Sequence, residues 1–332
     1  MGDYEAFWGQ WAELRTDVSR AIETGDFTDL PDRISAAVEH IADGLTWELG
    51  PGEEARHAFC LSSNGDPDKR AAIESCLRRG PGADAQWEYH PARRPVPAEA
   101  VDNFSLQFGD SDLTFGDVRV AWKGDDDRER LDVIMHHPAF AEMPDDARLQ
   151  AGFVILDNVL GEDGVERWLG GIELTSDALE GNLGLRDLRV GVDELAKTAT
   201  GDRWAVLRGE LEDGAPVFVT LNTALKRVDH PLFLQRLELT IPLKEPTDEG
   251  LTTDDEAGEL NALEDELIED LGDAVAYVGR ETRQGLRVLH LYCAEGGPAP
   301  DAIRRFGERH PERAMSLHVE RDPLWEAQGR FI

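Results

Sequence analysis

The C-terminal part of the chain carries the pattern that most restricts its fold. Between Phe233 and Leu243 apolar and polar residues alternate, which predicts a strand with one buried and one solvated face. A helix over 254–272 follows, with Thr253 before it and Glu256 three residues later, the spacing of a capping box. The elements predicted after this helix are strands at Val275–Thr282 and Leu286–Cys293, a helix at Pro300–Arg309 and a strand at Met315–Arg321.

From Phe233 onward the order is strand, helix, strand, strand, helix, strand. This is the ferredoxin-like βαββαβ arrangement of an antiparallel sheet. An extra hairpin precedes it, because strands at 204–211 and 216–222 are joined by Asp213-Gly214, a pair that tolerates the positive φ of a tight turn. We therefore predict an α+β domain over residues 203–332.

Residues 1–200 predict a second α+β domain. A helix over 5–24 and another over 145–160 show apolar spacings of three and four. Residues 91–112 contain three prolines and little periodicity, so we expect a long connection there. The residues predicted to form the buried face of the helix over 145–160 are Leu149, Phe153, Leu156 and Leu160.

The acidity of the chain excludes several classes of partner. Its 332 residues include 68 Asp and Glu against 34 Lys and Arg, a formal net charge of −34 at pH 7. Because phosphate backbones and anionic membranes are bound by clustered basic residues, we expect neither nucleic acid nor membrane as a partner. The opening residues lack the order of a signal peptide, and no apolar stretch reaches the roughly 20 residues that span a bilayer. We therefore predict a cytoplasmic protein.

The sequence carries no recognisable cofactor motif. No Gly-rich phosphate loop, HExxH or GxSxG pattern is present, and the three cysteines form no CxxC pair. His136 and His137 are the best metal candidates, but adjacent strand residues point to opposite faces, so they do not readily share one ion. We predict no cofactor and no metal, and interpret the two histidines as solvated residues at a strand end.

The C-terminal part resembles a family of bacterial proteins, the domain of unknown function numbered 695, over about residues 203–293. The match implies the fold and no activity, because no activity is established for that family. The residues that carry the resemblance are Gly214–Val219 with Asn222, Glu249–Thr252 with Asp255, Glu256, Leu260 and Leu263–Asp265, and Tyr277–Thr282 with Gly285.

The C-terminal tail and the N-terminal part each show a further resemblance. The stretch from Leu286 to Phe331, with Asp322-Pro323-Leu324-Trp325, is similar to the tail of the ribonuclease E inhibitor family called regulator of ribonuclease activity B. That similarity implies binding to another protein. The N-terminal part resembles uncharacterised bacterial proteins with the same tryptophan-rich opening. The residues concerned are Phe7-Trp8, Trp11, Trp47-Glu48 and Leu156 through Ile172.

A polar set in the predicted C-terminal sheet is the first candidate site. His290 and Tyr292 are two residues apart on one strand, so they point to the same face. Val288 shares that face, so a half-buried packing surface is the simpler interpretation, and a general base is the alternative. The full set is Asn222, Glu281, Arg283, His290 and Tyr292.

The helix predicted over 254–272 is the second candidate. Ten Asp or Glu and no Lys or Arg lie between Leu251 and Asp273. Leucines at spacings of three and four from Leu260 to Leu271 place the carboxylates on the opposite side. Such a face serves solubility, or it docks a protein partner with a basic surface, since an acidic field steers association. The residues assigned to this face are Glu259, Glu266, Glu269 and Asp270.

Two function hypotheses follow. The first is a non-enzymatic protein-binding or regulatory module, similar to an inhibitor, which the acidic helix and the tail resemblance favour. The second is an enzyme of unknown reaction with its active site in the cleft between the two domains, where ligand sites often form. A deep pocket holding ionisable groups with shifted pKa values would favour the enzyme, and a flat acidic surface would favour the binding module.

Overall fold

The computed structural model of the protein describes residues 2–109, 111–181 and 183–331. Helices and several sheets alternate along the chain, which confirms the predicted α+β class. The chain divides into two compact units between Ala199 and Thr200, called here the N-terminal and the C-terminal unit. In the part of the chain that the structure describes, no helix is both long and apolar enough to cross a membrane.

The first half of the N-terminal unit packs helices on a small sheet. Its elements are α1 (Tyr4–Thr24), α2 (Leu30–Glu39), β1 (Thr46–Pro51), β2 (His57–Ser62), α3 (Pro67–Arg78) and β3 (Trp87–His90). The strand order is β1-β2-β3. The apolar face of α1 buries Phe7 and Trp11 against this sheet, where the Trp11 ring stacks on Phe59 with centroids 4.4 Å apart.

The second half of the N-terminal unit has its own core. Its elements are β4 (Ser105–Phe108), β5 (Ser111–Thr114), β6 (Arg119–Asp125), β7 (Arg130–His136), α4 (Asp145–Leu160), α5 (Glu162–Trp168), β8 (Leu169–Thr175) and α6 (Leu185–Thr198). Strands β6, β7 and β8 form one sheet, and β4 and β5 form a separate hairpin. That hairpin lies within the predicted long connection over 91–112 and just beyond it, so the connection contains strands that the sequence did not indicate.

The predicted buried face of α4 was partly wrong. Leu149 and Phe153 are exposed, and the buried residues of the helix include Ala151 and Gly152. Close packing explains the difference, because a Cβ atom on Gly152 would lie 2.4 Å from Cδ1 of Leu174. The helix therefore approaches β8 through its small residues, which turns Leu149 and Phe153 outward.

The C-terminal unit is a six-stranded antiparallel sheet whose two long helices pack on one face. Its elements are β9 (Trp204–Glu210), β10 (Pro216–Asn222), β11 (Gln235–Pro242), α7 (Asp254–Leu271), β12 (Val275–Arg283), β13 (Leu286–Cys293), α8 (Ala299–Arg309), β14 (Ser316–Arg321) and α9 (Glu326–Gly329). The strand order is β14-β11-β13-β12-β10-β9. Strands β14 and β9 are therefore the two edges of the sheet.

The two faces of this sheet differ in chemistry. On the helix face, Leu291 of β13 packs in one core with Leu267 of α7 and Phe306 of α8. On the opposite face, called here the polar face, β13 presents His290 and Tyr292. In the register of the sheet these two residues lie beside Glu238 and Arg236 of β11, respectively.

The start of α7 forms as predicted on one side only. The Thr253 hydroxyl accepts a hydrogen bond from the Glu256 backbone N–H at 3.3 Å. The Glu256 carboxylate does not return to Thr253. It accepts from the backbone N–H groups of Lys244 and Glu245, at 2.5 and 3.1 Å, and from Arg313 at 2.5 Å. Instead of closing a capping box, the Glu256 side chain therefore links α7 by hydrogen bonds to the segment that follows β11.

Candidate functional site

His290 lies on the polar face of the C-terminal sheet and is only 4% exposed. Arg236 Nη2 lies 3.3 Å from His290 Nδ1, in a contact in which the guanidinium donates and the ring nitrogen accepts. His290 Nε2 lies 3.6 Å from Glu281 Oε1 and makes no hydrogen bond within the described residues. The Phe331 ring packs against the imidazole, with centroids 5.3 Å apart.

Acidic and basic side chains form ion pairs around His290. Arg283 Nε lies 3.1 Å from Glu281 Oε1, and Arg236 bonds both Glu238 and Glu320 at 2.6 Å. Burial would raise the pKa of the Glu281 carboxyl, but His290 and Arg283 hold that pKa below its usual range. These neighbours therefore stabilise Glu281 as a carboxylate.

Tyr292 belongs to a different contact on the same face. Its hydroxyl donates to Asp322 Oδ2 at 2.6 Å, and its ring stacks on Trp325 with centroids 4.1 Å apart. Asp322 also accepts from the backbone N–H groups of Glu326 and Ala327, while Trp325 Nε1 donates to the Phe233 carbonyl at 2.8 Å. The Asp322-to-Trp325 motif thus holds the C-terminal segment on the sheet.

Asn222 does not join the other members of the predicted polar set. Its Oδ1 accepts from the backbone N–H groups of Arg203 and Ala224, both at 3.1 Å. Its Nδ2 donates to the Gly201 carbonyl at 2.8 Å. Asn222 therefore fixes the entry into the β9–β10 hairpin.

The polar set is consequently arranged as a network of internal ion pairs. The structure brings Glu281, Arg283 and His290 together, with Tyr292 two residues along β13. A general base must reach a substrate proton, and the His290 ring is enclosed by Arg236, Glu281 and Phe331. This geometry favours the packing interpretation of the set.

The ten carboxylates between Leu251 and Asp273 do not form a uniform surface. Glu256 and Glu264 are buried. Glu264 accepts from the Tyr277 hydroxyl at 2.6 Å and from Arg280 Nη1 at 2.7 Å. The other eight are exposed, so α7 turns two acidic groups inward as ion-pair partners.

Three of the four acidic residues predicted to dock a partner are paired within the unit. Glu259 contacts Arg313 at 3.0 Å, and Glu266 and Asp270 both contact Arg309. For Glu269 the described residues supply no such partner. Asp255, Asp265 and Glu269 lie within one exposed sector of α7, called here the acidic stripe, and no ion pair with described residues is found for any of the three.

The edge strand β9 is the most unusual surface of the unit. It pairs with β10 on one side only, and every residue except Ala205 is exposed. The exposed fractions are 47% for Trp204, 70% for Val206 and 41% for Leu207. An unpaired edge with apolar side chains is a template for pairing with another chain.

His136 at the end of β7 and His137 just after it occupy separate places, and His137 is not solvated. His136 Nδ1 lies 3.2 Å from the Thr175 carbonyl, whereas His137 is buried and its Nε2 lies 3.2 Å from the Thr114 carbonyl. Burial lowers the pKa of His137. The interpretation as a solvated residue was therefore wrong for His137. Among the described residues, no group of three or more His, Cys, Asp and Glu is placed to hold a metal ion.

Comparison with known proteins finds a match only for the C-terminal unit. Residues 202–331 match the model of a family described as a family of unknown function, DUF695. This match confirms the resemblance predicted for that part of the chain and attaches no activity to it. No curated protein and no solved structure matches the chain. The similarity of the tail to the ribonuclease inhibitor family and the resemblance of the N-terminal part stay predictions.

Two features of this unit were missed from the sequence. The alternation along β11 indicates only that Arg236 is polar, whereas the structure gives it three partners, Glu238, His290 and Glu320. The exposure of β9 was not foreseen either. The signal was available in the strand Trp204–Glu210, which contains Trp, Val and Leu but neither Lys nor Pro, two residues that commonly protect an edge.

Proposed function

We propose that the C-terminal unit is a non-enzymatic, regulatory protein-binding module of the ferredoxin-like type, which receives an extended segment of a partner protein along β9. The observation that carries this proposal is the apolar, unpaired edge formed by Trp204, Val206 and Leu207. The order β14-β11-β13-β12 supports the ferredoxin-like assignment, because the predicted βαββαβ unit then occupies consecutive positions in the sheet.

Strand addition explains how such an edge binds. The outward N–H and C=O groups of β9 pair with the backbone of the arriving segment, which provides affinity without sequence preference. Side chains that alternate along the segment then contact Val206 on one face of the sheet and Leu207 on the other. Trp204 supplies a large, partly exposed aromatic surface of the kind that dominates binding energy at interfaces.

The charge of the module selects a basic segment. The acidic stripe of Asp255, Asp265 and Glu269 has no basic partner among the described residues, and the chain as a whole carries −34. A segment with Lys or Arg next to its apolar positions is attracted by this field, while an acidic segment is repelled. Holding the segment in an extended form keeps it from its other partners, which gives the module its regulatory effect.

The test is a selection of peptides on the full-length chain. A library of random linear peptides is expected to yield sequences with alternating apolar residues and flanking Lys or Arg. Val206→Glu is expected to weaken their binding by about tenfold or more, because it places a charge against an apolar contact. Val190→Glu is the matched control, since Val190 is also exposed, at 59%, and lies on α6 of the N-terminal unit.

The outcomes of the selection separate the alternatives. Loss of binding in the Val206 variant and full binding in the Val190 variant would support the proposal. No enrichment of any peptide, or equal binding by both variants, would overturn it. Dimerisation of the chain that disappears in Val206→Glu would assign the edge to a second copy of the protein and would also overturn the proposed partner.

The charge of the partner is tested by kinetics on the selected peptides. Replacing Asp265 by Asn and Glu269 by Gln is expected to slow association and flatten its dependence on salt, with little change in dissociation. Glu5→Gln with Glu13→Gln on α1 is the control, because it removes the same charge from exposed positions of the other unit. An unchanged association rate would remove the acidic stripe from the functional account.

A further inference from the structure

A pocket of about 290 Å³ opens on the helix face of the C-terminal sheet. Hydrogen-bond donors line it from three strands and a loop. The donor side chains are those of Arg280, Arg287, Thr220, Thr252 and Thr282. Phe218 and Leu251 are among the apolar residues of the wall. Val206 of β9 also lines the pocket, so the pocket adjoins the proposed binding edge. Its arginine and threonine donors are nevertheless explained neither by the ion network of the polar face nor by backbone pairing along β9.

The pocket holds more positive than negative charge. Arg280 Nη1 lies 2.7 Å from Glu264 Oε1, and Arg287 Nη1 lies 3.5 Å from Glu264 Oε2. Both guanidinium groups therefore share the carboxylate of Glu264. Arg is protonated under all ordinary conditions, so the group retains an excess of one positive charge. Such an excess is notable in a chain with a net charge of −34.

The donors are held in place but not used up. Arg287 is 4% exposed, its Nε donates to the Thr282 hydroxyl at 2.9 Å and its Nη1 donates to Asn261 Oδ1 at 3.2 Å. Within the described residues no acceptor is found for Nη2 of Arg280 or of Arg287. The hydroxyl of Thr282 accepts from Arg287, which leaves its own proton to donate. Fixed donors with no acceptor in a partly buried site favour a ligand that only accepts.

We infer that this pocket binds a small oxyanion, namely a phosphate or carboxylate group, between Arg280, Arg287 and the hydroxyls of Thr220, Thr252 and Thr282. Guanidinium groups bind both kinds of group through charge-assisted hydrogen bonds. The volume suits a single phosphate or carboxylate with a short apolar substituent, because it lies at the lower end of the range for ligand pockets.

The electrostatics of the arginine pair agree with this assignment. Burial, together with the positive charge of Arg280 nearby, lowers the pKa of Arg287. A bound anion would offset the repulsion between the two guanidinium groups and would satisfy their remaining donors. The ligand is thereby held by groups that the fold has already oriented, which limits the entropic cost of binding.

The experiment is calorimetric titration of the full-length chain with inorganic phosphate, with acetate and with chloride at equal ionic strength. We expect saturable 1:1 binding of phosphate or acetate and none of chloride. Saturation by only one of the two oxyanions identifies which group the pocket takes. Arg280→Gln is expected to weaken that binding about tenfold or more, since it removes a charge-assisted contact.

Arg283→Gln is the matched control. Arg283 lies three residues along the same strand but on the polar face, where it pairs with Glu281, so its loss is expected to leave oxyanion binding unchanged. Thr220→Val removes one hydroxyl with little change in shape and tests the pocket if Arg280→Gln fails to fold. The inference would be overturned by the absence of saturable oxyanion binding, or by wild-type affinity in both Arg280→Gln and Thr220→Val.

Discussion

Strands β14 and β9 are the two edges of one sheet, yet the side chains they expose differ: those of β14 are polar, and those of β9 include large apolar residues. On β14, Leu317 and Val319 pack into the core, and the exposed positions are polar. Two of these exposed residues are tied by ion pairs, Glu320 to Arg236 and Arg321 to Glu295. On β9 the exposed side chains include three large apolar residues. Because one edge is protected and the other is open, the open edge points to function rather than to a general feature of the sheet.

The same contrast extends inward from the edges. The strands next to β14 lie under α7 and α8, whose apolar residues pack on them. Beside β9 and β10 the helix face instead holds the pocket lined by Arg280 and Arg287. The apolar packing is therefore concentrated in one half of the sheet, and both proposed binding surfaces lie in the other half.

The largest effect we predict concerns the whole unit. Residues 203–332 expressed alone should unfold cooperatively, because the sheet and both covering helices lie within this fragment. The unfolding free energy expected for such a domain is about 5–15 kcal/mol. Urea unfolding followed by circular dichroism measures it. A fragment without a cooperative transition would show that the unit depends on the N-terminal half for its stability.

Single substitutions on the α7 side of the sheet and on β9 should change the unfolding free energy by different amounts. Arg313 is buried beside Glu256, and Arg313→Ala leaves that carboxylate without its charged partner, at a cost of about 3–5 kcal/mol. Val206→Ala on β9 should change the unfolding free energy by no more than about 0.5 kcal/mol, because the side chain is exposed. Denaturant unfolding of both variants tests this difference, and a similar cost for the two would show that β9 is packed as firmly as the α7 side of the sheet.

A smaller, pH-dependent effect is expected from Glu256. Burial would raise the pKa of its carboxyl, but Arg313 and the backbone N–H groups of Lys244 and Glu245 hold it below the ordinary value of 4.5. A carboxyl with a lowered folded-state pKa stabilises the fold above pH 4.5, and this contribution is lost as the pH falls through the lowered value. Glu256→Gln should therefore weaken the loss of stability on acidification, measured by urea unfolding between about pH 5 and pH 3. Asp265→Asn is the exposed control, and an unchanged pH dependence in Glu256→Gln would contradict this account.

Much of the C-terminal fold could be predicted from local pattern. The alternation from Phe233 to Leu243 and the leucine spacing in α7 are dictated by burial on one face, which is why their elements lie close to the predicted bounds. The face of α4 could not be predicted in this way. Its orientation depends on how closely Gly152 approaches Leu174, and no periodicity within the helix contains that information.

The candidate sites were less predictable because their chemistry is made by pairs distant in sequence. The sequence predicts one acidic surface on α7. In the structure, Arg309 of α8 and Arg313 of the segment after it pair with three of its residues, Glu259, Glu266 and Asp270. The charge of the pocket likewise depends on Arg280 and Arg287 from two strands meeting Glu264 of a helix. Such ion pairs depend on which elements the fold brings together, and the local sequence pattern does not predict them.

Amide hydrogen exchange of the full-length chain, with and without a selected peptide, shows whether the peptide pairs with β9. If a segment is added to the sheet, exchange should slow at alternate amides of Trp204–Glu210, and those of Ser316–Arg321 should be unchanged. Val206→Glu should abolish the slowing at the same peptide concentration. Slower exchange along β14, or unchanged exchange on both edges while the peptide is bound, would contradict binding at β9.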